Sequence, residues 1–216
     1  MTSPPEALLQ CWRDIAGDGF DHTATILVER HAEPHRRYHT AEHVMWVLRH
    51  VDVLVAAEQP PAGQMIDIDA VRAAALFHDI VYDPRSTTNE ADSAEIAVEA
   101  LRAVGWSTDR LALVRALVLA TAGHQAATFA AGVLLDADLA VLGAEPSAYR
   151  EYAAGVRFEY GFVDDAEWRT GRARLLRSFL DRPRILATAT MAAEREQQAR
   201  ANLTGELEEL VSDAHR

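Results

Sequence analysis

The chain has 216 residues, of which 49% are hydrophobic and 25% are charged, a composition typical of a folded globular protein and not of a disordered one. Its formal net charge is −12, and all 21 basic residues are arginine. The acidic balance disfavours a nucleic-acid polymer as partner, and the absence of lysine excludes both a lysine Schiff base and a phosphate-loop lysine.

Apolar residues recur along most of the chain at three- and four-residue spacings, which is typical of amphipathic helices. Thr40 is a suitable N-cap for one of them, because the valines and leucines from Val44 to Val55 then form one buried face. No segment alternates apolar and polar residues as a strand does, so we expect an all-α chain, residues 1–216, folded as a single helical domain. The predicted helices cover residues 6–16, 20–31, 41–57, 69–80, 89–104, 109–121, 130–142, 146–160, 164–181 and 186–211.

Cysteine usage and hydropathy bear on where the protein resides. The single cysteine, Cys11, has no partner for an internal disulfide, which fits a reducing compartment. The first residues lack the basic and apolar regions of a signal peptide, and no run of 18 apolar residues is present. We therefore expect a cytoplasmic protein without a membrane partner.

Two segments place metal-ligand side chains where a helix would otherwise bury carbon. His43 lies at the edge of the apolar face of helix 41–57, so its imidazole can point inward. His78 and Asp79 end the apolar helix 69–80. A core histidine bonded to a carbonyl is the alternative for His43, and a buried ion pair without metal is the alternative for the other two.

A third segment, residues 134–139, carries two carboxylates in an apolar run. Asp138 shares a helix face with apolar residues, whereas Asp136 points away from that face, so we expect Asp138 to be the more deeply buried. A buried carboxylate needs a positive partner. The nearest arginines in sequence, Arg115 and Arg150, lie on other predicted helices, and a bound cation meets the requirement directly. Two histidines and two aspartates suit a divalent transition metal without selecting one.

The order His…His-Asp…Asp on helices of an all-α chain resembles the HD superfamily of metal-dependent phosphohydrolases, and its small bacterial branch in particular. The resemblance implies an HD-type helical bundle with a metal-site core over about residues 38–142 and C-terminal helices over 146–211 packed on it. It also implies one tightly bound divalent metal ion, whether Mn, Mg, Co, Ni, Zn or Fe. Its ligands would be His43, His78, Asp79 and Asp138. Further matching segments are 38–40, 89–90, 136–139, 157–160, 168–172 and 199–203.

The segment Tyr38-His39-x-x-x-His43-x-x-x-Val47 is also similar to the opening motif of cyclic-nucleotide phosphodiesterases. In that group the first histidine protonates the leaving alcohol and the second binds metal. The resemblance therefore implies that His39 is a general acid, a role that suits a side chain titrating near neutral pH. The alternative is a loop histidine that only caps the following helix.

The chain departs from binuclear HD enzymes, which commonly add two histidines between the His-Asp pair and the last aspartate. Only His124 stands in that interval, so a second metal would need water, His124 or a carboxylate such as Glu90, and we expect one metal. Whether Asp136 also contacts the site is open. His31 and His35 continue the spacing of His39 and His43, but Pro34 breaks the helix between them, so we expect both at the surface.

Arginine binds phosphate through a planar fork of parallel donors. The candidates for contacting an anionic substrate are Arg36, Arg37, Arg157, Arg169 and Arg172, and the alternative for each is an ion pair on a solvated helix face. The expected activity is cleavage of a phosphoester or phosphoanhydride bond of a small phosphorylated substrate, such as a nucleotide, by metal-activated water whose proton Asp79 accepts. The competing functions are a di-iron oxygenase of the same fold and a non-catalytic sensor of metal or nucleotide.

Overall fold

The computed structural model describes residues 3–62 and 65–212. Within these ranges every regular element is helical and no strand occurs, which confirms the all-α prediction. A short 3₁₀ helix, Ala140–Gly143, follows the seventh α-helix. The α-helices are α1 Pro4–Ala16, α2 Asp21–His31, α3 Ala41–Ala57, α4 Ile68–Phe77, α5 Asn89–Ala103, α6 Thr108–Ala120, α7 Phe129–Leu139, α8 Pro146–Glu159, α9 Asp165–Leu180 and α10 Ala189–Ser212.

Most helix ends agree with the periodicity to within a few residues, and the two exceptions lie at the candidate site. Helix α4 ends at Phe77 and not at residue 80, because the chain turns there and the Ile80 N–H donates to the Phe77 carbonyl at 3.1 Å. Helix α7 ends at Leu139 and tightens into the 3₁₀ helix. His78 and Asp79 therefore lie in a turn.

Helix α4 is the centre of the fold. Apart from Arg72, every residue from Ala70 to Phe77 is fully buried, and the helix packs against α1, α3, α5, α6 and α7. Asp67 caps its first turn by accepting the Ala70 N–H at 3.0 Å. Four alanines allow the neighbouring helices to approach closely, and the chain leaves α4 inside the bundle. The His78-Asp79 turn is thereby placed in the interior.

Helices α3 and α7 pack side by side next to α4. The Thr128 hydroxyl caps α7 by accepting the Ala131 N–H at 3.1 Å. Thr40 is the N-cap residue of α3, as predicted, but its side chain makes no capping hydrogen bond. The start of α3 is held instead by contacts to the loop before it, described below.

The C-terminal helices cover one end of this core. Helix α10 packs on α9, α3 and the 3₁₀ helix. Gly143 allows this approach, since a Cβ there would lie 2.5 Å from the Arg195 Cβ. Asn202 on α10 links the two helices by donating to the carbonyls of Leu142 and Ala144, both at 2.8 Å. Helix α8 follows directly, and its last residue, Glu159, reaches the loop before α3.

None of the helices in the described ranges combines the length and the apolar character that a membrane span requires.

Candidate metal centre

Four side chains from three parts of the chain converge beneath the start of α3. The Nε2 atoms of His43 and His78 lie 3.2 Å apart. Asp138 Oδ1 lies 3.2 Å from the first of them, and Asp79 Oδ2 lies 3.0 Å from the second. Donors bound at about 2.1 Å to one metal ion are separated by about 3.0–3.4 Å for octahedral to tetrahedral angles. These three separations fall within that range, and the His78 Nε2 lies somewhat farther, 3.7 Å, from Asp138 Oδ1.

The ligand atoms of His43, His78 and Asp138 all lie within 4.8 Å of one another, so these three residues could hold a metal ion. Asp79 completes the cluster from one side, since its Oδ2 also lies 3.5 Å from the His43 Nε2. Two imidazole nitrogens facing each other at 3.2 Å repel unless a proton or a cation stands between their lone pairs. The donor set therefore fits a divalent cation.

Hydrogen bonding selects the tautomer of His78. Its Nδ1–H donates to the Ala75 carbonyl at 2.9 Å, which leaves the lone pair on Nε2 facing the cluster. The Nδ1 of His43 is buried without a hydrogen-bond partner and packs near the Tyr38 ring, whose centroid lies 4.7 Å from that of the imidazole. One histidine is thus oriented by the backbone and the other by packing.

The electrostatics of the cluster favour positive charge at its centre. Burial alone would lower the pKa of His78, but the charges and hydrogen bonds of Asp79 and Asp138 outweigh it and raise that pKa well above its ordinary value. The pKa of His43 is raised by the same balance. Burial opposes ionisation of both aspartates, yet the surrounding imidazoles hold the pKa of each carboxyl well below its ordinary value. A bound cation would satisfy the same two carboxylates.

His39 lies beside the cluster and is not part of it. Its ring centroid is 5.6 Å from that of His43, and it stacks on Tyr82 at 4.1 Å. Its Nδ1 lies 2.7 Å from Glu159 Oε2, so the ring donates there and directs Nε2 away from the carboxylate. The capping alternative does not describe this side chain, because its hydrogen bond crosses to α8.

Glu159 is the site residue that sequence reasoning missed. Its side chain is fully buried, and its Oε1 accepts the backbone N–H groups of Arg37, Tyr38 and His39 at 2.6, 2.7 and 3.0 Å. The hydroxyl of Tyr82 donates to Oε2 at 2.9 Å. Burial raises the pKa of Glu159, but the hydrogen bond and charge of the His39 ring, together with the N–H groups of Arg37 and His39, lower it to about 2. The carboxylate therefore fixes both the loop before α3 and the His39 ring.

One signal in the sequence points to Glu159. A carboxylate at the C-terminal end of a helix is opposed by the helix dipole, and Glu159 is the last residue of α8. An acidic residue in that position, after Phe158 and before Tyr160, indicates a partner elsewhere in the fold.

The expectation that Arg36 contacts substrate is wrong. Its side chain is 0% exposed, and its guanidinium donates to the carbonyls of His39, Asp79 and Ile80 at 3.1, 2.7 and 3.1 Å. Its Nε donates to Glu33 at 3.0 Å. With these donors already engaged, Arg36 holds the loop of His39 against the turn of Asp79.

Asp136 is a structural carboxylate and lies outside the cluster. It is 1% exposed, whereas the Asp138 side chain is 14% exposed, so the expectation that Asp138 is the more deeply buried is wrong. Asp136 accepts the N–H groups of Ala187 and Thr188 and the Thr188 hydroxyl at 2.6–2.7 Å. These contacts fasten α7 to the segment before α10, which gives the carboxylate partners that the sequence did not reveal.

His124 adjoins the cluster, with Nε2 3.2 Å from Asp138 Oδ2. Its φ of 47° lies in the left-handed region, which is uncommon for a residue other than glycine. Arg182 donates to its carbonyl at 2.7 Å and holds this conformation from outside. Glu90 lies in the first turn of α5. Burial, Glu159 and Glu90 together raise the pKa of Tyr160, at the end of α8.

Three further arginines do not reach the cluster. Arg172 is buried and donates to both oxygens of Glu206 at 2.7 and 2.9 Å. Arg157 donates to the Tyr160 and Val163 carbonyls and to Asp165, whose pKa it lowers with help from Arg169. The expectation that Arg172 contacts substrate is therefore wrong, because its side chain is buried against Glu206, whereas a substrate contact by the partly exposed Arg157 stays a prediction.

Arg37 is the candidate arginine that lines a cavity next to the cluster. This cavity has a volume of about 770 Å³, and its lining includes one cluster residue, His43. Within the described part of the chain the Arg37 guanidinium forms no ion pair, and only its backbone N–H is engaged, by Glu159. It remains available to an anionic ligand.

The two histidines upstream of His39, His31 and His35, differ in their exposure to solvent. His35 is exposed, as expected, and its Nε2 bonds the Tyr82 carbonyl at 2.7 Å. The expectation for His31 is wrong. Helix α2 ends before Pro34, but its last residue, His31, is only 2% exposed and therefore lies in the interior. Its Nδ1 donates to the Leu27 carbonyl at 2.8 Å, and its Nε2 is buried without a partner.

Comparisons of the chain with protein-family models, with curated proteins and with solved structures found no match.

Proposed function

We propose that the protein is a metal-dependent phosphohydrolase that uses water to cleave a phosphoester or phosphoanhydride bond of a small phosphorylated substrate. The observation that carries the proposal is that two features lie side by side, with the ring centroids of His39 and His43 5.6 Å apart. One is the cation-binding cluster of His43, His78, Asp79 and Asp138, and the other is a separate imidazole, His39, backed by a buried carboxylate.

The donor set determines which metal ions suit the cluster and what chemistry such an ion would supply. Two imidazole nitrogens and two carboxylates suit Mn²⁺, Co²⁺, Ni²⁺, Zn²⁺ or Fe²⁺ and also admit Mg²⁺. Such an ion would lower the pKa of a water molecule and polarise a phosphoryl oxygen. Asp79 and Asp138 retain 19% and 14% exposure of their side chains, so the cluster is open to water and to a ligand on this side.

His39 is suited to protonate the departing oxygen. Its Nδ1–H is held by Glu159, so the proton that it can give lies on Nε2. A fixed carboxylate behind the ring orients it, as in other acid–base pairs. Asp79 would accept the proton of the attacking water, because its carboxylate lies at the exposed edge of the cluster.

Metal content tests the cluster. His78→Ala and Asp138→Ala should each abolish metal binding and turnover, whereas His50→Ala is the matched control. His50 lies on α3 two turns beyond His43, about 10 Å along the helix axis, too far to share its metal. Elemental analysis after dialysis gives the measurement. Unchanged metal content in both cluster variants would remove the basis of the proposal.

Turnover tests the reaction class. The wild type and the His39→Ala variant are assayed on a panel of nucleotides, sugar phosphates and aryl phosphates with Mn²⁺, Mg²⁺, Co²⁺, Ni²⁺ or Zn²⁺. The variant should keep its metal and lose about 10²–10⁴-fold in kcat, the usual contribution of a positioned acid. A protein that binds metal and hydrolyses no member of the panel would be a sensor and not an enzyme.

A further inference from the structure

The cavity beside the metal centre has the size of a small-molecule site. Its volume of about 770 Å³ lies within the range of about 300–1,000 Å³ that is usual for ligand pockets. One wall is the loop before α3 and the first turns of that helix, and the other is the inner face of α8. His43 is the cluster residue that lines this cavity, so the cavity adjoins the cluster at one candidate ligand.

Four aromatic side chains line the cavity. Tyr38 forms the floor, with its ring centroid 4.7 Å from those of both His43 and Tyr152. Trp46 adds an indole whose Nε1 is buried without a hydrogen-bond partner. Phe158 lies on the opposite wall and is 60% exposed, a high value for a large apolar residue. An exposed aromatic ring at the edge of an aromatic cavity is a surface on which a flat ligand can stack.

The charged residues of the cavity favour a ligand without further anionic groups. Arg37 is the single cation among the lining residues, and Glu42 and Glu151 are both acidic. Both carboxylates are exposed, and neither forms an ion pair or a hydrogen bond with another residue in the described ranges. Arg37 provides positive charge for one phosphate, whereas a second or third phosphate extending into the cavity would meet uncompensated carboxylates.

We propose that this cavity binds the organic part of the substrate, and that this part is an uncharged, flat aromatic group carried on a single phosphate. The substrate class is then an aryl or nucleoside monophosphate ester, in preference to polyphosphates and to small aliphatic phosphates. This inference rests on the proposed function for its catalytic meaning. The binding preference itself follows from the lining residues and is tested without turnover.

Non-hydrolysable phosphonates isolate the binding step. The metal-loaded wild-type protein is titrated by calorimetry with methylphosphonate, phenylphosphonate and 4-carboxyphenylphosphonate. Phenylphosphonate should bind about tenfold more tightly than methylphosphonate, which is the effect of one aromatic stacking contact. The added carboxylate should remove most of this gain.

Two variants assign the effects to the cavity. Phe158→Ala should weaken phenylphosphonate about tenfold and leave methylphosphonate unchanged, and the control Phe162→Ala, at an exposed ring outside the cavity lining, should change neither. Glu151→Gln should strengthen binding of the carboxylated probe several-fold, whereas Glu99→Gln on α5 should not. All substituted side chains are exposed, so circular dichroism should report unchanged folding.

The outcomes separate the two proposals. Equal affinity for phenylphosphonate and methylphosphonate, no binding of either, or equal weakening of both by Phe158→Ala would overturn the inference about the cavity. A failure of the protein to hydrolyse any phosphoester would overturn the proposed function alone if the phosphonate preference and its dependence on Phe158 persist.

Discussion

Replacing Glu159 with glutamine removes a negative charge from a fully buried side chain that three backbone N–H groups, one imidazole and one phenol contact. These donors hold the pKa of the carboxyl at about 2, against its ordinary value of 4.5. Because the folded pKa is depressed, the charge stabilises the fold above pH 4.5, and this contribution is lost as the pH falls towards 2.

The magnitude follows from the two pKa values. At about 1.4 kcal/mol per pKa unit, the difference between 4.5 and about 2 gives about 3 kcal/mol of stability at pH 7. By the same relation about 2 kcal/mol remains at pH 3.5, so the contribution shrinks by about 1.4 kcal/mol over this range. Glutamine also loses an acceptor, which adds a cost that does not depend on pH.

Urea unfolding of the wild type and Glu159→Gln at pH 7, 5 and 3.5, with a chelator present, measures the gap in stability at each pH. Glu99→Gln, an exposed substitution on α5, is the control and should differ little from the wild type at any pH. The expected result is a gap of at least about 3 kcal/mol at pH 7 that narrows by about 1.4 kcal/mol at pH 3.5. A gap that stays constant across the three pH values would refute the reasoning, because it would show that the charge contributes nothing.

Three further predictions concern packing and buried charge. Arg36→Met should cost about 3–5 kcal/mol and weaken metal binding, because it leaves three carbonyls without their donor and removes one of the cations paired with Glu33. Arg30→Met removes an exposed ion pair to the same carboxylate and should cost less than about 1 kcal/mol in urea unfolding. Gly143→Ala should lower stability by about 1–3 kcal/mol, since its methyl group would lie 2.5 Å from a side-chain carbon of α10. Gly171→Ala meets open space in α9 and should stabilise the fold by about 0.5–1 kcal/mol. Thermal unfolding should therefore show a lower melting temperature for the first variant and a higher one for the second. Burial lowers the pKa of His31 to about 4, so its neutral form stabilises the fold above pH 6.5 and this stability is lost as the pH falls towards 4. His31→Leu should remove about 2.5 kcal/mol of the pH dependence between pH 7 and 4.5, and an unchanged pH profile would contradict the assignment.

The sequence predicts the helices well because their signal is local. A buried face repeats at the helical period within each element, so α3 can be read without knowledge of its neighbours. The same argument identifies His43, His78 and Asp138, since each is a polar side chain on or beside a face that the period marks as buried. The candidate metal site can therefore be predicted from periodicity and from the resemblance together.

Glu159 and Arg36 were not accessible in this way, because their partners are distant in sequence. Glu159 contacts a loop about 120 positions earlier, and Arg36 contacts a turn more than 40 positions later. Asp136 was misjudged for the same reason, since its donors lie about 50 positions downstream. Helical period states which side of a helix faces inward, but it does not state which inward carboxylate meets N–H groups and which meets imidazoles.

The contacts of two arginines show a structural role that lysine, absent from this chain, could not fill in the same way. Arg36 donates to three carbonyls, and Arg200 donates to the carbonyls of Leu180, Arg182 and Pro183 while paired with Glu196. A guanidinium can do this because its donors point in several fixed directions, whereas an ammonium presents its three donors from a single atom. Arg36, which the sequence offered as a phosphate ligand, thus holds the loop and the turn that form the site. Arg37 and a metal ion then remain as sources of positive charge for a substrate, which is why loss of the cluster should abolish turnover even though the chain retains its arginines.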